Sequence, residues 1–443
     1  MKKEITFSLL TLGCPKSQIE REKYIFTLEK KGYKFKENAS DSDLLIINTC
    51  GFIESAKKET IETIFEAVRK KEKGHFRKII AAGCFTQRYF ESLKNEIPEL
   101  DGVYGLYQYE ELTKDIGKIL GGKKVFKRYS TGDLRKTNLN TPKKTSFKTY
   151  SYILISDGCN KSCTYCAIPK IRGPYRSRNP KSIIEEITKE VKNGVKEIIL
   201  IGNNVANYNN DIDKKKGIAF LLEKIAKIEN LNWIRLLYLH PDNFDDRLIE
   251  TIKENKEVVP YFDLPLQHGS NKILKKMGRE KSREEYLKLI DKIKKEVPES
   301  ILRTTFITGF PGETENDFNE LVNFIKDINF DYVGVFSYSK EENTKAFSFG
   351  GQIDEEEIKK RQFYLTELID TLAVEKWKEK LNIEHKVLIE GSEGDYHQGR
   401  FYGQAPEIDG VTYVKKEGLK IGKFYNVKID SFDNYDLYGV VND

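Results

Sequence analysis

Apolar residues fall in short runs separated by longer amphipathic stretches, and this alternation gives the outline of the fold. Near the N-terminus the runs 5–12, 44–47 and 79–82 read as strands, and helix-like segments follow near 18–31, 53–73 and 87–96. Strand–helix alternation of this kind predicts a doubly wound parallel sheet. From Tyr150 the alternation resumes, with strand candidates at 151–156, 197–202, 233–239, 261–266, 301–308 and 332–338. Amphipathic stretches at 181–192, 218–229, 283–295 and 315–328 lie between them. Six strand–helix units predict an open, partial (β/α)6 version of the barrel that closes at eight. After a helix over about 355–380 the rhythm shortens. Five short strands, 385–390, 400–402, 411–415, 424–429 and 437–441, are set off by Gly, Asp and Asn turns, which predicts a small β barrel. The expected fold class is therefore α/β: an N-terminal parallel sheet, a central partial barrel and a C-terminal five-stranded barrel.

Composition adds a division of the chain. At 443 residues it is too long for one core. The stretch 121–148 is basic and rich in small polar residues, which reads as a linker. The expected units are 1–120, a linker over 121–147, 148–376 and 377–443. A net charge of +6 creates no overwhelming field for nucleic acid. From Glu384 to Asp443 seven Lys and Arg stand against eleven Asp and Glu. A barrel that grips RNA is expected to be basic, so this tail suits a basic protein surface better. The chain shows no signal peptide and no apolar span of membrane length, so a reducing cytoplasmic location without disulfides or membrane contact is expected.

The six cysteines carry the chemistry. Cys159, Cys163 and Cys166 share one short loop directly after a predicted strand. Three thiolates placed this way can hold three irons of a four-iron, four-sulfur cluster and leave the fourth iron open to a small molecule. Zinc is the alternative, although structural zinc takes four closed ligands and no fourth Cys or nearby His follows. Cys14, Cys50 and Cys84 each end an apolar run. In a parallel sheet the carboxyl ends of neighbouring strands meet at one edge, so these three thiols are expected to converge into a second site. The alternative is three buried structural cysteines. Polar, glycine-broken segments end four of the later strands: Gly202-Asn203-Asn204, His240-Pro241, Gln267-His268-Gly269-Ser270 and Gly309-Phe310-Pro311-Gly312-Glu313-Thr314. Tyr165, Gly202, Asn203, Gln267, His268 and Gly309 are the candidates for a cofactor cavity. His240 and His268 read equally well as satisfied structural histidines, and Thr314 with Asp317 forms an ordinary capping box.

The spacing C-x3-C-x2-C, with Tyr165 before the last Cys, resembles the signature of radical S-adenosylmethionine enzymes. With the spaced N-terminal cysteines and the small C-terminal barrel, which is TRAM-like, the whole chain resembles the methylthiotransferase family. Leu12-Gly13-Cys14-Pro15-Lys16, Asn48-Thr49-Cys50, Gly83-Cys84, Ser156-Asp157-Gly158-Cys159 and Tyr238-Leu239-His240-Pro241 resemble its branch that modifies an aspartate of small-subunit ribosomal protein twelve. Gly202-Asn203-Asn204-Val205 is more similar to the branch that modifies an adenosine of transfer RNA. The resemblance implies two [4Fe-4S] clusters and S-adenosylmethionine. Cys159, Cys163 and Cys166 would hold the cluster that cleaves the cofactor to a 5′-deoxyadenosyl radical, and Cys14, Cys50 and Cys84 an auxiliary cluster that presents sulfur. A second S-adenosylmethionine would methylate that sulfur before its transfer to the aspartate β-carbon. The implied partners are ribosomal protein twelve, free or in the subunit, and a reductant such as flavodoxin or ferredoxin.

Overall fold

The computed structural model describes residues 4–38, 42–146 and 149–441. Its first sheet comprises β1 (Thr6–Thr11), β2 (Lys34–Phe35), β3 (Ser42–Thr49), β4 (Phe76–Gly83), β5 (Gly102–Tyr104) and β6 (Val125–Lys127), in the order β2-β1-β3-β4-β5-β6. Every pairing is parallel. All eight residues of β3 are buried, as in a parallel strand covered on both faces. Alternate side chains feed two cores. Leu45 and Ile47 pack with Ile64 and Val68 of the helix Glu54–Glu72. Leu44 and Ile46 belong to the opposite core, with Ile19 and Ile25 of the helix Pro15–Glu29 and Ile116 of the helix Tyr109–Leu120.

The expected linker is part of this fold rather than a solvated spacer. Residues 125–127 form β6 and pair with β5, a strand too short to show in the apolar pattern. Leu134 and Leu139 are buried, and the buried Lys143 donates to Glu22 Oε2 and Ser151 Oγ, both at 2.8 Å. Scattered apolar residues and a paired lysine draw the basic stretch down onto its neighbours. Residues 147 and 148, where the linker was expected to end, lie outside the described residues.

The central unit holds β7 (Tyr150–Leu154), the two-residue pair β8 (Ser156–Asp157) and β9 (Arg176–Ser177), then β10 (Glu197–Ile201), β11 (Trp233–Leu236), β12 (Tyr261–Gln267), β13 (Ile301–Thr308) and β14 (Tyr332–Ser337). These form two parallel three-stranded sheets, β11-β10-β7 and β12-β13-β14, joined through a bridge from Ile234 to Val258. The result is the expected open barrel of six main strands. The third strand stops at Leu236, short of the expected 239, because Tyr238 takes a left-handed φ of 61° and its N–H turns to Asp263 Oδ2 at 2.8 Å. The helix expected over 218–229 likewise ends at Ile225. Among the described residues no helix is long and apolar enough to cross a membrane.

The tail strands β15 (Glu384–Glu393), β16 (Tyr396–Phe401), β17 (Thr412–Val414), β18 (Phe424–Asp433) and β19 (Asp436–Val441) close into a barrel. This barrel docks against the N-terminal ends of the central strands. Tyr261 donates to Asp409 at 2.6 Å, Tyr402 donates to the Glu299 carbonyl at 3.0 Å, and Trp233 packs edge-on against Phe424. Glu197, fully buried at the start of β10, accepts from Arg235 and from Arg400 of the tail, both at 2.7 Å. Removing one partner of such a group leaves the other charges uncompensated. Glu197→Ala is therefore expected to cost about 3–5 kcal/mol in urea unfolding, and a loss below about 1 kcal/mol would show that the two guanidiniums find other partners.

Candidate active site

The N-terminal cysteines follow three adjacent strands. The strand order reverses between β1 and β3, and the crevice of a doubly wound sheet opens at such a reversal. Cys14 and Cys50 flank it, and Cys84 follows β4 next door. Cys14 is exposed at the cap of the helix Pro15–Glu29, Cys50 is half-buried, and Cys84 is buried at the start of the helix Cys84–Arg88. Gly13 has a φ of 100°, and a Cβ there would lie 2.9 Å from the Cys50 sulfur. Only glycine permits both that backbone and that approach. The Thr60 hydroxyl donates to the Cys50 carbonyl at 2.7 Å and accepts from its N–H at 3.2 Å, fixing the second turn.

The central cysteines lie on the loop after β8, at the C-terminal end of the barrel. Gly158 is compulsory there, since its φ is 75° and a Cβ would stand 2.2 Å from the Pro174 carbonyl oxygen. The loop is pinned from two sides: Asn160 Oδ1 accepts from the Tyr175 N–H at 2.9 Å, and the Thr164 N–H donates to the Met277 carbonyl at 2.9 Å. The Lys161 N–H points at the Cys159 sulfur, 3.4 Å away. All three thiols are half-buried.

Arg172, only 2% exposed on the short helix Ile168–Arg172, joins the two sites. Its Nη2 donates to Cys84 Sγ and to Glu20 Oε1, both at 3.0 Å, and its Nη1 to Asp157 Oδ2 at 3.2 Å. Glu20 and Cys84 belong to the N-terminal unit, and Asp157 stands two residues before Cys159. Lys16, two residues after Cys14, is buried, and its ammonium acts electrostatically on Cys159 and Cys166. Tyr238 feels the Cys14 thiol across the same gap. Arg172 therefore links Cys84 of the N-terminal unit to the strand that leads into the central cysteine loop.

Burial raises the pKa of four of the thiols. Cys84 and Cys166 are pushed up to about 12, and Cys50 and Cys159 are also raised. Free thiols in these positions hold their protons near neutrality, and binding of iron displaces them. Among the described residues no three His, Cys, Asp or Glu side chains close around the position of a single metal ion. A cluster asks less of the sulfurs than a single ion does, because each thiolate takes its own iron.

The other candidates have mixed settings. The Tyr165 ring packs against the buried cluster of Ile273, Met277, Phe310, Tyr338 and Ala346. A Cβ on Gly202 would meet Ser156 Oγ at 2.5 Å, and one on Gly309 would meet Ile358 at 2.5 Å, so packing alone demands both glycines. Gln267 has a left-handed φ of 77° and is nearly buried. Asn203 Oδ1 is buried without a hydrogen-bond partner among the described residues, which leaves an acceptor for a ligand. His268 is fully buried with both nitrogens engaged: Nδ1 accepts from the Ser270 N–H at 2.9 Å, and Nε2 faces Glu313 at 3.2 Å. Glu313 also accepts from Arg361 and from the Gly309 N–H. Burial alone would raise the Glu313 carboxyl, yet His268 and Arg361 hold it below its ordinary value. His240 accepts from Arg279 at 2.9 Å and is held neutral, its pKa lowered to about 2 by burial and that guanidinium. Sequence reasoning passed over Arg172 and Arg279, and named Glu313 only as part of a glycine-broken strand end. The available signal was the series Arg172, Arg176, Arg178 just beyond the cysteine loop, all three of them buried.

Comparison with known proteins agrees with this layout. The Radical SAM superfamily matches residues 153–325, the Uncharacterized protein family UPF0004 residues 6–105, and the TRAM domain residues 383–441. A "Ribosomal protein uS12 methylthiotransferase RimO" of Clostridium botulinum (strain Eklund 17B / Type B) is 42% identical over 98% of both chains. Its counterpart in Clostridium perfringens (strain SM101 / Type A) is 43% identical over 98% of this chain and 97% of its own. Among solved structures, the radical S-adenosylmethionine methyltransferase TsrM from Kitasatospora setae, with cobalamin and a [4Fe-4S] cluster bound, shares the fold. Its TM-score is 0.56 at 13% identity, covering 76% of this chain and 75% of that one.

The thiol environments are testable in the cluster-free chain. At pH 8 Cys14 is expected to react first with iodoacetamide, while Cys84 and Cys166 resist until urea unfolds the protein. Peptide mass mapping reads the order, and equal rates at all six positions would contradict these environments.

Proposed function

The chain belongs to the ribosomal protein uS12 methylthiotransferase family of radical SAM enzymes, and from that premise we propose that it places a methylthio group on the β-carbon of a uS12 aspartate, using two clusters. Methylthiolation of uS12 with an iron–sulfur cluster and S-adenosylmethionine comes with the family. The choice of carbon, the second cluster and the ligand sets are the proposal. Its main support is the convergence of two cysteine trios on one face of the central barrel, tied by Arg172.

Cys159, Cys163 and Cys166 would hold the cluster that engages S-adenosylmethionine, and Cys14, Cys50 and Cys84 the second. When bound, these groups supply the carbon-centred radical, the sulfur and the methyl group. The chain's own residues do the positioning. Arg172 fixes the N-terminal trio against the start of the central cysteine loop. Leu154, Ile199 and Ile201 give the barrel interior an apolar wall. The tail barrel covers the opposite end, so substrate approaches from the cysteine side. Excluding water and oxidants there protects a reactive carbon radical. Of the cavity candidates, Tyr165, Asn203 and Gln267 are proposed to contact S-adenosylmethionine. Gly202, Gly309 and His268 are proposed to shape the walls around it. A flavodoxin- or ferredoxin-like reductant, a cytoplasmic setting and an acidic tail that meets the basic surface of the substrate complete the reading.

Anaerobic assays of the reconstituted chain with uS12 separate the two trios. Cys159→Ala is expected to abolish formation of 5′-deoxyadenosine. Cys14→Ala is expected to retain part of that cleavage and lose the methylthio product. Full methylthio product from Cys14→Ala would refute the role of the second trio.

A further inference from the structure

Two segments support the central cysteine loop from outside. The helix Asn271–Met277 ends against it, with the Met277 carbonyl accepting from the Thr164 N–H at 2.9 Å and the Lys276 carbonyl from the Thr164 hydroxyl at 2.8 Å. The chain beyond β14 closes the other side, where the Ala346 N–H donates to the Thr164 carbonyl at 2.8 Å. Thr164 lies between Cys163 and Cys166. Both segments are therefore bonded directly to the cysteine loop.

Both also turn lysines to solvent. Lys275, Lys276, Lys340 and Lys345 are exposed, and none of them forms an ion pair among the described residues. The Lys276 ammonium lies along Gly312, where a Cβ would stand 2.3 Å from it, and the Gly312 N–H donates to the Gly351 carbonyl at 2.7 Å. That contact brings Lys276 beside the segment that carries Lys345 and Phe347. Phe347 is 41% exposed, and the Lys340 ammonium stands 5.1 Å from its ring centre. The acids around this face are mostly engaged. Glu341 is buried and holds Lys57 and Arg88, Glu280 holds Lys161, and Glu355 and Glu357 hold Lys359 and Arg361. Glu342 and Glu356 are the exposed acids left at its margins. The negative end of the helix accounts for Lys275 and Lys276. It does not account for Lys340 and Lys345, which belong to the other segment.

On the reading given under Proposed function, on which this inference rests, Cys159, Cys163 and Cys166 hold the cluster that needs an electron. Electron transfer falls off steeply with distance, so the carrier has to seat against this loop. Encounters with electron carriers use small interfaces, and an interface joins an apolar centre to a polar rim. An exposed aromatic ring among unpaired lysines has that form, and its charge selects an acidic partner.

We propose that Lys276, Lys340, Lys345 and Phe347 form the docking surface for the reductant, a small acidic one-electron carrier, beside the loop 159–166. One electron passes from the carrier's reduced cofactor to the cluster. The carrier is oxidised by one electron, the cluster is reduced by one, and no bond forms or breaks between the two proteins. The lysines steer the encounter, and Phe347 seats it.

The test uses the reconstituted holoenzyme with S-adenosylmethionine and reads 5′-deoxyadenosine under different reductants. These are dithionite, which needs no docking surface, a reduced acidic flavodoxin and a reduced acidic [2Fe-2S] ferredoxin. Lys276→Glu/Lys345→Glu is expected to lose about tenfold of the carrier-driven rate at low salt, while its dithionite-driven rate stays at the wild-type level. Lys276→Gln/Lys345→Gln is expected to fall between, which separates lost attraction from added repulsion. Added salt is expected to slow the carrier-driven rate of wild type and to spare that of the reversed variant. Anisotropy of labelled, oxidised flavodoxin reads the binding itself, and its affinity is expected to fall with the rate.

An unchanged carrier-driven rate and affinity in the reversed variant overturn the assignment. A dithionite-driven rate that falls in parallel places the lysines in the fold or the cluster environment, and also overturns it. If carrier-driven cleavage survives while methylthiolation of uS12 falls in assembled subunits and not in free uS12, the patch meets RNA phosphates and the assignment fails. A wild type driven by dithionite and by neither carrier overturns it as well. A wild type that forms no 5′-deoxyadenosine with dithionite refutes the reading of the cysteine loop itself, and the inference falls with it.

Discussion

One buried guanidinium sets the relation between the two halves of this site. Arg172 is withdrawn from water, which costs several kcal/mol for an ion. Glu20, Asp157 and Cys84 repay that cost only if all three stand in place around it. Each comes from a different element: the helix after Cys14, the strand before Cys159, and the first turn after β4. The same contacts that make the burial tolerable therefore fix where the N-terminal trio stands relative to the central one. Two cysteine sites assembled by different folds are held as one because a charge between them has nowhere else to go.

A second buried charge group closes the other end of the barrel. Glu197 lies between Arg235 and Arg400 at the strand starts, and Arg400 reaches onward to Glu390 of the tail. Tyr261, Arg303 and Asp409 continue this polar layer across the junction. The tail barrel is thus a fitted base for the central unit, bound by pairs that must form together. Chemistry is confined to the strand C-terminal ends, where the glycine-broken segments and both trios lie. The interior between these ends combines apolar side chains such as Leu154, Ile199 and Ile201 with the ion pair of Asp263 and Arg303.

Much of this was legible in the sequence because it rests on local signals. Apolar runs bounded by Gly and Cys located β1, β3 and β4, and parallel topology puts the cysteines that follow them along one edge of the sheet. The barrel strands and the capping box at Thr314 were equally local features. The misses have a common physical origin in long-range pairing. The stretch 121–148 looks like a solvated basic spacer, yet Lys143 is paired with Glu22, more than a hundred residues away. Arg172 carries no mark of its role until Glu20 and Cys84 are folded against it. His268 looked equally like a ligand and a strut, and only its contacts with Ser270 and Glu313 decide its setting. Gly202 and Gly309 suggest room for a cofactor, whereas the bulk they make room for is Ser156 and Ile358.

The central claim is that this chain modifies a ribosomal protein rather than a nucleic acid. The most direct measurement compares cells with and without its gene, weighing intact small-subunit proteins and digested transfer-RNA nucleosides by mass spectrometry. The account predicts that uS12 alone loses the mass of one methylthio group when the gene is removed. An unchanged uS12 with a methylthio group missing from an adenosine would contradict it, and with it the reading of the acidic tail as a protein-facing surface.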